Sequence, residues 1–284
     1  MPGLRPRPGH PYLAGAPHLV AHRGGSGLAP ENTLEAFRSA VDDWGADILE
    51  MDVRLTADGH VVVIHDDTVD RTTDGSGPVA GMTLEELQAL DAGARFTDPD
   101  GAASFRGRGV CVPTFEAILE AFPDMRLNVE AKERAVARPL VDEILRHGAQ
   151  HRVLVAAEHE RNRRDIPDYP GPRGASRRDC LLFLATYRLP LVRRLTPRVD
   201  AFQVPEHWRG RRVVTPRLVA EAHRRNIPVH VWTVDDADDM RRLLSWGVDG
   251  IHTDRPDVLS AVLVEATGRP EPPCLREQAG GARP

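Results

Sequence analysis

The chain has 284 residues, of which 41% are hydrophobic and 28% are charged, the composition of an ordinary globular protein with a substantial core. Its formal net charge of -5, from 37 basic and 42 acidic side chains, gives no sign of a surface for nucleic acid or for an anionic membrane. The first twenty residues do not resemble a signal peptide, no apolar run is long enough for a membrane span, and the three cysteines lack metal-binding spacing. We therefore expect a cytoplasmic protein with no nucleic-acid partner and no stable membrane association.

Short apolar runs alternate with helical segments along most of the chain, a pattern typical of parallel-sheet α/β proteins. Eight runs are predicted to be strands: residues 19–22, 48–53, 127–130, 153–156, 181–184, 201–204, 229–233 and 250–252. Eight strands separated by helices favour a (β/α)8 TIM barrel over an open doubly wound sheet, whose usual strand count is lower. Several of these runs end in polar residues, and barrel enzymes build their active sites at the carboxyl ends of strands.

The barrel is expected to span residues 18–267. Residues 1–17 include four prolines before residue 12 and are predicted to be a flexible lead. Residues 268–284 are rich in glycine, proline and charged residues and are predicted to be a disordered tail. Residues 66–112 contain seven glycines and almost no long apolar run. Because this is too much chain for an ordinary loop, we expect an insertion after the second strand that lies over the barrel mouth.

Two polar residues are interpreted as helix caps. Asn32, followed by Glu35, has the spacing of a capping box before an apolar helical pattern, and Thr83 with Glu86 has the same spacing. We interpret Asn32 and Thr83 as caps in preference to ligands.

The second predicted strand carries a pair of carboxylates. Glu50 and Asp52 are two residues apart, and strand side chains alternate faces, so both point the same way. Two oxygen ligands on one face can hold a hard divalent cation. Residues 57–59 form a turn that pairs Thr56 with His60, which places His65 near the carboxylates.

A second histidine lies at the end of the first predicted strand. His22 is followed by Arg23, whose guanidinium is suited to binding a phosphate. Together, His22 and His65 can serve as a general acid and a general base.

The third predicted strand ends with Glu130, and Lys132, the only lysine of the chain, follows two positions later. Both side chains leave the strand end on one face, so both can reach the site of Glu50 and Asp52. Glu130 offers a third hard oxygen ligand, and Lys132 a compact positive charge for a phosphate oxygen or a carboxylate. A surface ion pair between the two is the alternative interpretation.

From about residue 19 to residue 264 the chain resembles the glycerophosphodiester phosphodiesterase family of the TIM-barrel phosphodiesterases. The stretches that carry the resemblance are residues 22–25 (HRGG), 30–33 (PENT), 50–53 (EMDV), 56–59 (TADG), 65–66 (HD), 70–73 (DRTT), 113–114 (PT), 128–132 (NVEAK), 231–234 (VWTV) and 247–250 (GVDG). Each motif is weakly specific, but their joint order and spacing make the resemblance strong.

The resemblance implies a TIM barrel with an insertion after the second strand and one divalent cation, Mg²⁺ or Ca²⁺. Three metal-binding carboxylates of the family match Glu50, Asp52 and Glu130, and its two catalytic histidines match His22 and His65. The implied reaction is hydrolysis of a glycerophosphodiester, such as glycerophosphocholine or glycerophosphoethanolamine, to sn-glycerol 3-phosphate and an alcohol. The substrate is a small molecule, and the preferred alcohol, the metal, the oligomeric state and the division of acid and base roles stay open.

The sequence departs from the family pattern after the fourth predicted strand. Many relatives have a Ser-Phe pair there, whereas this chain has Ala157, Glu158 and His159. Glu158 and His159 are either pocket residues or part of a solvated loop. Trp232 is expected to be a substrate-binding platform for glycerol or alkyl groups, with core packing as the alternative.

Two other functions stay open from the sequence. A lysophospholipase D or sphingomyelinase D-like enzyme on the same fold would act on lipids and would need an apolar trough, because a fold does not fix the substrate. A catalytically silent barrel would bind phosphodiesters without turnover, but both histidines and all three carboxylates are present.

Overall fold

The computed structural model describes residues 10–187, 197 and 199–276. In this part of the chain the strands are β1 (His18–Ala21), β2 (Ile48–Leu55), β3 (Val61–Val63), β4 (Arg126–Ala131), β5 (Val153–Ala156), β6 (Phe202–Pro205), β7 (His207–Trp208), β8 (Arg211–Arg212), β9 (Val229–Trp232) and β10 (Gly250–Thr253). The helices are α1 (Leu34–Asp42), α2 (Leu84–Gln88), α3 (Phe115–Ala121), α4 (Arg134–Arg146), α5 (Arg177–Thr186), α6 (Pro216–His223), α7 (Ala237–Ser245) and α8 (Pro256–Thr267). None of the described helices is long and apolar enough to cross a membrane.

Seven strands form a curved parallel sheet in the order β5, β4, β2, β1, β10, β9, β6. Two residues fill the gap between β5 and β6: Arg173 forms a parallel bridge with Val155, and Gly174 forms one with Ala201. Backbone hydrogen bonds support both bridges, since Gly174 donates to Val155 and Ala175 donates to Ala201. The fold is therefore the predicted (β/α)8 TIM barrel, with one strand position reduced to a pair of residues.

One of the eight predicted strands is wrong. Residues 181–184 lie in α5, which begins after Ser176 in a reciprocal capping box with Asp179. A short apolar run does not distinguish a strand from a helix by its periodicity, so the cap decides the structure here. The other seven runs are strands.

The start of α1 also differs from the prediction. Thr33, not Asn32, is the N-cap, and its side chain accepts a hydrogen bond from the Ala36 amide. Asn32 has a positive φ of 59° and directs its side chain toward the carboxylates of the site. The capping box of Thr83 and Glu86 at α2 is confirmed.

The β2–β3 hairpin has the predicted register. The Thr56 amide donates to the His60 carbonyl, and Val53 lies opposite Val63. After β3, the insertion surrounds a separate apolar cluster of Val62, Ile64, Val69, Val79, Leu87, Ala92, Val110 and Val112. This cluster holds the insertion against the hairpin that carries His65.

Both ends of the described chain pack on the barrel, so residues 10–17 and 268–276 are ordered parts of the segments expected to be a flexible lead and a disordered tail. Tyr12 and Leu13 are buried, and the Tyr12 hydroxyl donates to the Leu127 carbonyl at 3.1 Å. At the other end, Arg269 forms an ion pair with Asp47 at 2.9 Å. Apolar burial thus orders residues 10–17, and pairing with the half-buried Asp47 orders the start of the tail. Residues 1–9 and 277–284 lie outside the described residues.

Candidate active site

Three carboxylates meet at the carboxyl ends of β2 and β4. Asp52 lies directly opposite Glu130 in the parallel register, and Glu50 is two residues before Asp52 on the same face. One oxygen from each of the three lies within 4.8 Å of the others. Glu50 and Asp52 are buried, whereas Glu130 is partly exposed, so the cluster opens toward the barrel mouth on the Glu130 side.

The charge of this cluster needs compensation. Burial, together with the negative charge of Asp52, raises the pKa of Glu50 to about 7. Burial also acts to raise the pKa of Asp52, but the nearby Lys132 and Arg23 outweigh it and hold that pKa below its ordinary value. An all-oxygen donor set with surplus negative charge fits a hard divalent cation such as Mg²⁺ or Ca²⁺.

Two cations contact the carboxylates directly. Lys132 Nζ lies 3.3 Å from Asp52 Oδ1 and 3.4 Å from Glu130 Oε2. Arg23 Nε lies 3.3 Å from Asp52 Oδ2, and the Arg23 amide donates to Glu50 Oε2 at 2.9 Å. Both side chains are largely buried at the edge of the cluster, where an anionic substrate group would also be attracted.

A tight turn after β1 brings Arg23 to this position. Arg23 has a φ of 51°, and Gly24 and Gly25 also have positive φ. A Cβ on Gly24 would lie only 2.7 Å from the Ala36 side chain. Gly24 is therefore required for both its backbone conformation and its close approach to α1.

His22 is the first residue after β1, and its Nδ1 lies 2.6 Å from Asp254 Oδ1. Asp254 follows β10, the strand that pairs with β1. Burial acts to lower the pKa of His22, but the charge of Glu50 and the hydrogen bond to Asp254 outweigh it and raise that pKa to about 9. The imidazole is thus held by one nitrogen beside the acidic cluster.

His65 lies just beyond β3, and its Nδ1 is 2.8 Å from Asp66 Oδ1. Asp66 accepts from Arg71 Nε, and Arg71 also forms two hydrogen bonds to Glu31, at 2.6 Å and 2.8 Å. Burial acts to raise the pKa of Asp66, but Arg71 and His65 lower it to about 2. Asp66 is thus an anionic partner for His65.

Glu31 connects this network to Arg23, the residue predicted to bind phosphate, because the Glu31 carboxylate also accepts a hydrogen bond from Arg23 Nη1 at 2.9 Å. The structure therefore joins His65 to Arg23 through three intervening ionic side chains. Sequence reasoning gave no role to Arg71, although it lies in the DRTT motif, residues 70–73. Asn32, interpreted as a cap, is a further omission: its Nδ2 donates to Asp52 Oδ2 at 3.2 Å.

Trp232 lies at the carboxyl end of β9 and is 42% exposed. It lines a cavity of about 170 Å³ that reaches the acidic cluster at Glu130. Glu158 lines the same cavity, and its backbone amide donates to Glu130 Oε1 at 3.3 Å. The structure thus brings Trp232 to the Glu130 side of the site.

The fold and the site define a class: a TIM barrel that gathers three carboxylates and two carboxylate-bound histidines at the carboxyl ends of its strands, where barrel enzymes have their active sites. The model of the glycerophosphoryl diester phosphodiesterase family matches residues 22–165 and 178–258. The chain belongs to this family and is thus a phosphoric diester hydrolase.

Individual relatives agree with this assignment. A glycerophosphodiester phosphodiesterase of Caldanaerobacter subterraneus subsp. tengcongensis is 35% identical over 85% of this chain and 95% of its own length. A probable glycerophosphodiester phosphodiesterase 2 of Mycobacterium tuberculosis is also 35% identical, over 86% of this chain and 90% of its own length. The crystal structure of a glycerophosphodiester phosphodiesterase from Agrobacterium tumefaciens superimposes with a TM-score of 0.70 at 28% identity, over 86% of this chain and 99% of the other.

Proposed function

We propose that the chain hydrolyses small glycerophosphodiesters, of the glycerophosphocholine and glycerophosphoethanolamine type, to sn-glycerol 3-phosphate and an alcohol. Glu50, Asp52 and Glu130 would hold one divalent cation, Mg²⁺ or Ca²⁺. That cation would bind a phosphoryl oxygen and stabilise the charge that develops on it. The proposal rests on the family membership and on one observation above all, the pair of carboxylate-bound imidazoles beside a three-carboxylate cluster.

The two histidines divide the proton transfers. One imidazole takes the proton from a glycerol hydroxyl, whose oxygen attacks phosphorus, while the other gives a proton to the departing alcohol. Water then opens the resulting cyclic phosphate, with the two proton transfers reversed. Each Nδ1 is bound to an aspartate, Asp254 for His22 and Asp66 for His65, so each Nε2 is the nitrogen that exchanges a proton with the substrate.

Arg23 and Lys132 bind the phosphate in this proposal. Both cations lie beside Asp52 at the edge of the cluster, where they can contact phosphoryl oxygens while keeping their carboxylate partners. Positive groups fixed before the reaction stabilise the transition state without reorganisation. Trp232 covers the neighbouring side of the mouth and offers an apolar surface to an alkyl or glycerol group.

Release of glycerol 3-phosphate tests the proposal. Purified protein is treated with chelator, resupplied with Mg²⁺ or Ca²⁺, and assayed on glycerophosphocholine and glycerophosphoethanolamine. We expect metal-dependent release that falls by about 10² to 10⁴-fold in His22→Ala and in His65→Ala. His60→Ala is the matched control, because His60 lies in the turn of the hairpin that positions His65 but is exposed. Absence of release with both metals and both substrates would reject the proposal.

A further inference from the structure

The cavity beside Glu130 has an apolar lining. It lies at the carboxyl ends of β5, β6 and β9 and under α5. Its apolar walls include Ala157, Ala175, Leu181, Leu184, Val204 and Trp232. Leu181 and Trp232 are 44% and 42% exposed, respectively. Large apolar side chains exposed around a concave site are a feature of ligand-binding pockets rather than of ordinary surface.

The charged groups of the cavity already have partners. Glu130 is paired with Lys132, and Glu158 lies 3.9 Å from the guanidinium of Arg177. The Arg177 guanidinium lies 4.8 Å from the centre of the Trp208 ring. A substrate group in this cavity therefore meets apolar surface and neutralised charge.

Trp208, which also lines the cavity, is a poor site for a quaternary ammonium group. Such groups are held by open aromatic faces, but Trp208 already has two guanidinium groups over its ring, those of Arg177 and Arg209, at 4.8 Å and 5.0 Å. A third cation would be repelled by both. An uncharged hydrocarbon group has no such conflict and gains from burial.

Part of the wall of this cavity lies outside the segments that match the family model. The family model leaves residues 166–177 unmatched, and both Ala175 and Arg177 lie in that segment. Ala157 and Glu158 replace the Ser-Phe pair that the family resemblance leads one to expect. One side of the cavity, at Ala157, Glu158, Ala175 and Arg177, thus differs from the family pattern or lies outside the matched segments.

We infer that this cavity is a subsite for a hydrocarbon chain of the substrate, so that the enzyme prefers glycerophosphodiesters with an aliphatic chain over those without one. The inference rests on the proposed function, because it concerns one of the groups attached to the scissile phosphodiester. The chain is carried either by the departing alcohol or, as an acyl group, by the glycerol. In both cases the cavity binds it beside the carboxylate cluster.

Two homologous series test the inference and distinguish the two sources. One series consists of glycerophospho-n-alkanols from methyl to octyl, and the other of glycerophosphocholine with acyl chains of two to eight carbons, all assayed below micelle formation. We expect kcat/KM to rise about fourfold per methylene in one series and then to level off once the cavity is filled. The series that shows the rise identifies the group that carries the chain.

Leu181 and Leu182 provide a matched pair of variants. They are neighbours on α5 and similarly exposed, at 44% and 41%, but only Leu181 lines the cavity. Leu181→Ser should flatten the rise with chain length while leaving the rate on glycerophosphocholine unchanged, and Leu182→Ser should change neither.

Two outcomes would overturn the inference. A flat dependence on chain length in both series, with glycerophosphocholine still hydrolysed, would reject the subsite and leave the proposed function intact. Equal effects of the two serine variants would also reject the subsite. Absence of hydrolysis of every phosphodiester would instead reject the proposed function, and the subsite with it.

Discussion

Nδ1 of His22 and Oδ1 of Asp254 are 2.6 Å apart, although 232 residues separate the two in sequence. Their strands, β1 and β10, are neighbours in the barrel and pair Ala21 with Thr253. Each side chain follows its strand directly, so closure of the barrel places the carboxylate against the imidazole. This contact leaves Nε2 of His22 as the nitrogen that exchanges a proton with the substrate in the proposed mechanism.

Replacing Asp254 with Asn should therefore reduce turnover without reducing substrate binding. The amide can donate a hydrogen bond to Nδ1 and so favour the wrong tautomer of His22. We expect kcat to fall by roughly 10- to 100-fold with KM and Tm nearly unchanged. Steady-state kinetics measure kcat and KM, and a melting curve measures Tm. Asp257→Asn is the control, because Asp257 pairs with Arg255 a short distance along the same segment. A fall in Tm that matches the loss of activity would show a structural role instead.

A divalent cation should stabilise the folded protein through the three carboxylates. A ligand at about 100 times its Kd adds roughly 2.7 kcal/mol to the free energy of unfolding, so Mg²⁺ or Ca²⁺ should raise the Tm of chelator-treated protein. Glu130→Gln should remove most of this increase, since it deletes a partly exposed ligand without opening the core. Glu158→Gln should keep the increase, because its backbone amide still binds Glu130 and its side chain lies outside the cluster. Equal metal responses in the two variants would contradict this assignment.

Lys132 should affect substrate binding and metal binding in opposite directions. Its ammonium contacts both Asp52 and Glu130, so it assists an anionic substrate but competes with a divalent cation for the same oxygens. We expect Lys132→Met to lower kcat/KM by about tenfold or more while Mg²⁺ affinity stays equal or increases. Calorimetric titration with Mg²⁺ and steady-state kinetics measure the two effects. A parallel loss of metal affinity would show that Lys132 orders the carboxylates instead.

Local patterns were sufficient to predict the centre of the site. Strand alternation places Glu50 and Asp52 on one face, and the turn at residues 57–59 sets a register that brings His65 back toward them. The observed pairing of Thr56 with His60 is the predicted one. These relationships depend on neighbours in sequence, which is why they can be derived without the fold.

The hydrogen-bond partners of the site depend on contacts that no local pattern determines. Arg71 reaches Glu31 across 40 residues, and Asn32 is turned toward Asp52 because Thr33 caps the helix. The strand position between β5 and β6, which consists of only two residues, also could not be predicted from a local pattern. Arg173 and Gly174 close the barrel by backbone pairing alone, so they have no apolar strand pattern, whereas the apolar run that imitates a strand belongs to α5.

A buried carboxyl outside the site should make stability fall as pH rises. Glu143 lies on the inner face of α4, where burial and the charge of Glu116 raise its pKa from 4.5 to about 7. Below pH 4.5 the carboxyl is protonated in both the folded and the unfolded chain. Between about 4.5 and 7 the unfolded chain ionises first, so the free energy of unfolding decreases, and above pH 7 the loss is complete.

Glu143→Gln should remove this pH dependence, because the amide keeps a hydrogen-bond acceptor but never ionises. We expect its Tm to exceed that of the wild type by roughly 3–6 °C at pH 8 and to match it at pH 4.5. Melting curves across this range provide the measurement. Asp142→Asn, the preceding residue on the exposed face of α4, should show no such gain, since its carboxylate pairs with Arg138 in solvent. If the variant were less stable than the wild type at pH 8, the ionised carboxylate would be a favourable partner for Arg146 or His147, and burial would not be the dominant effect on Glu143.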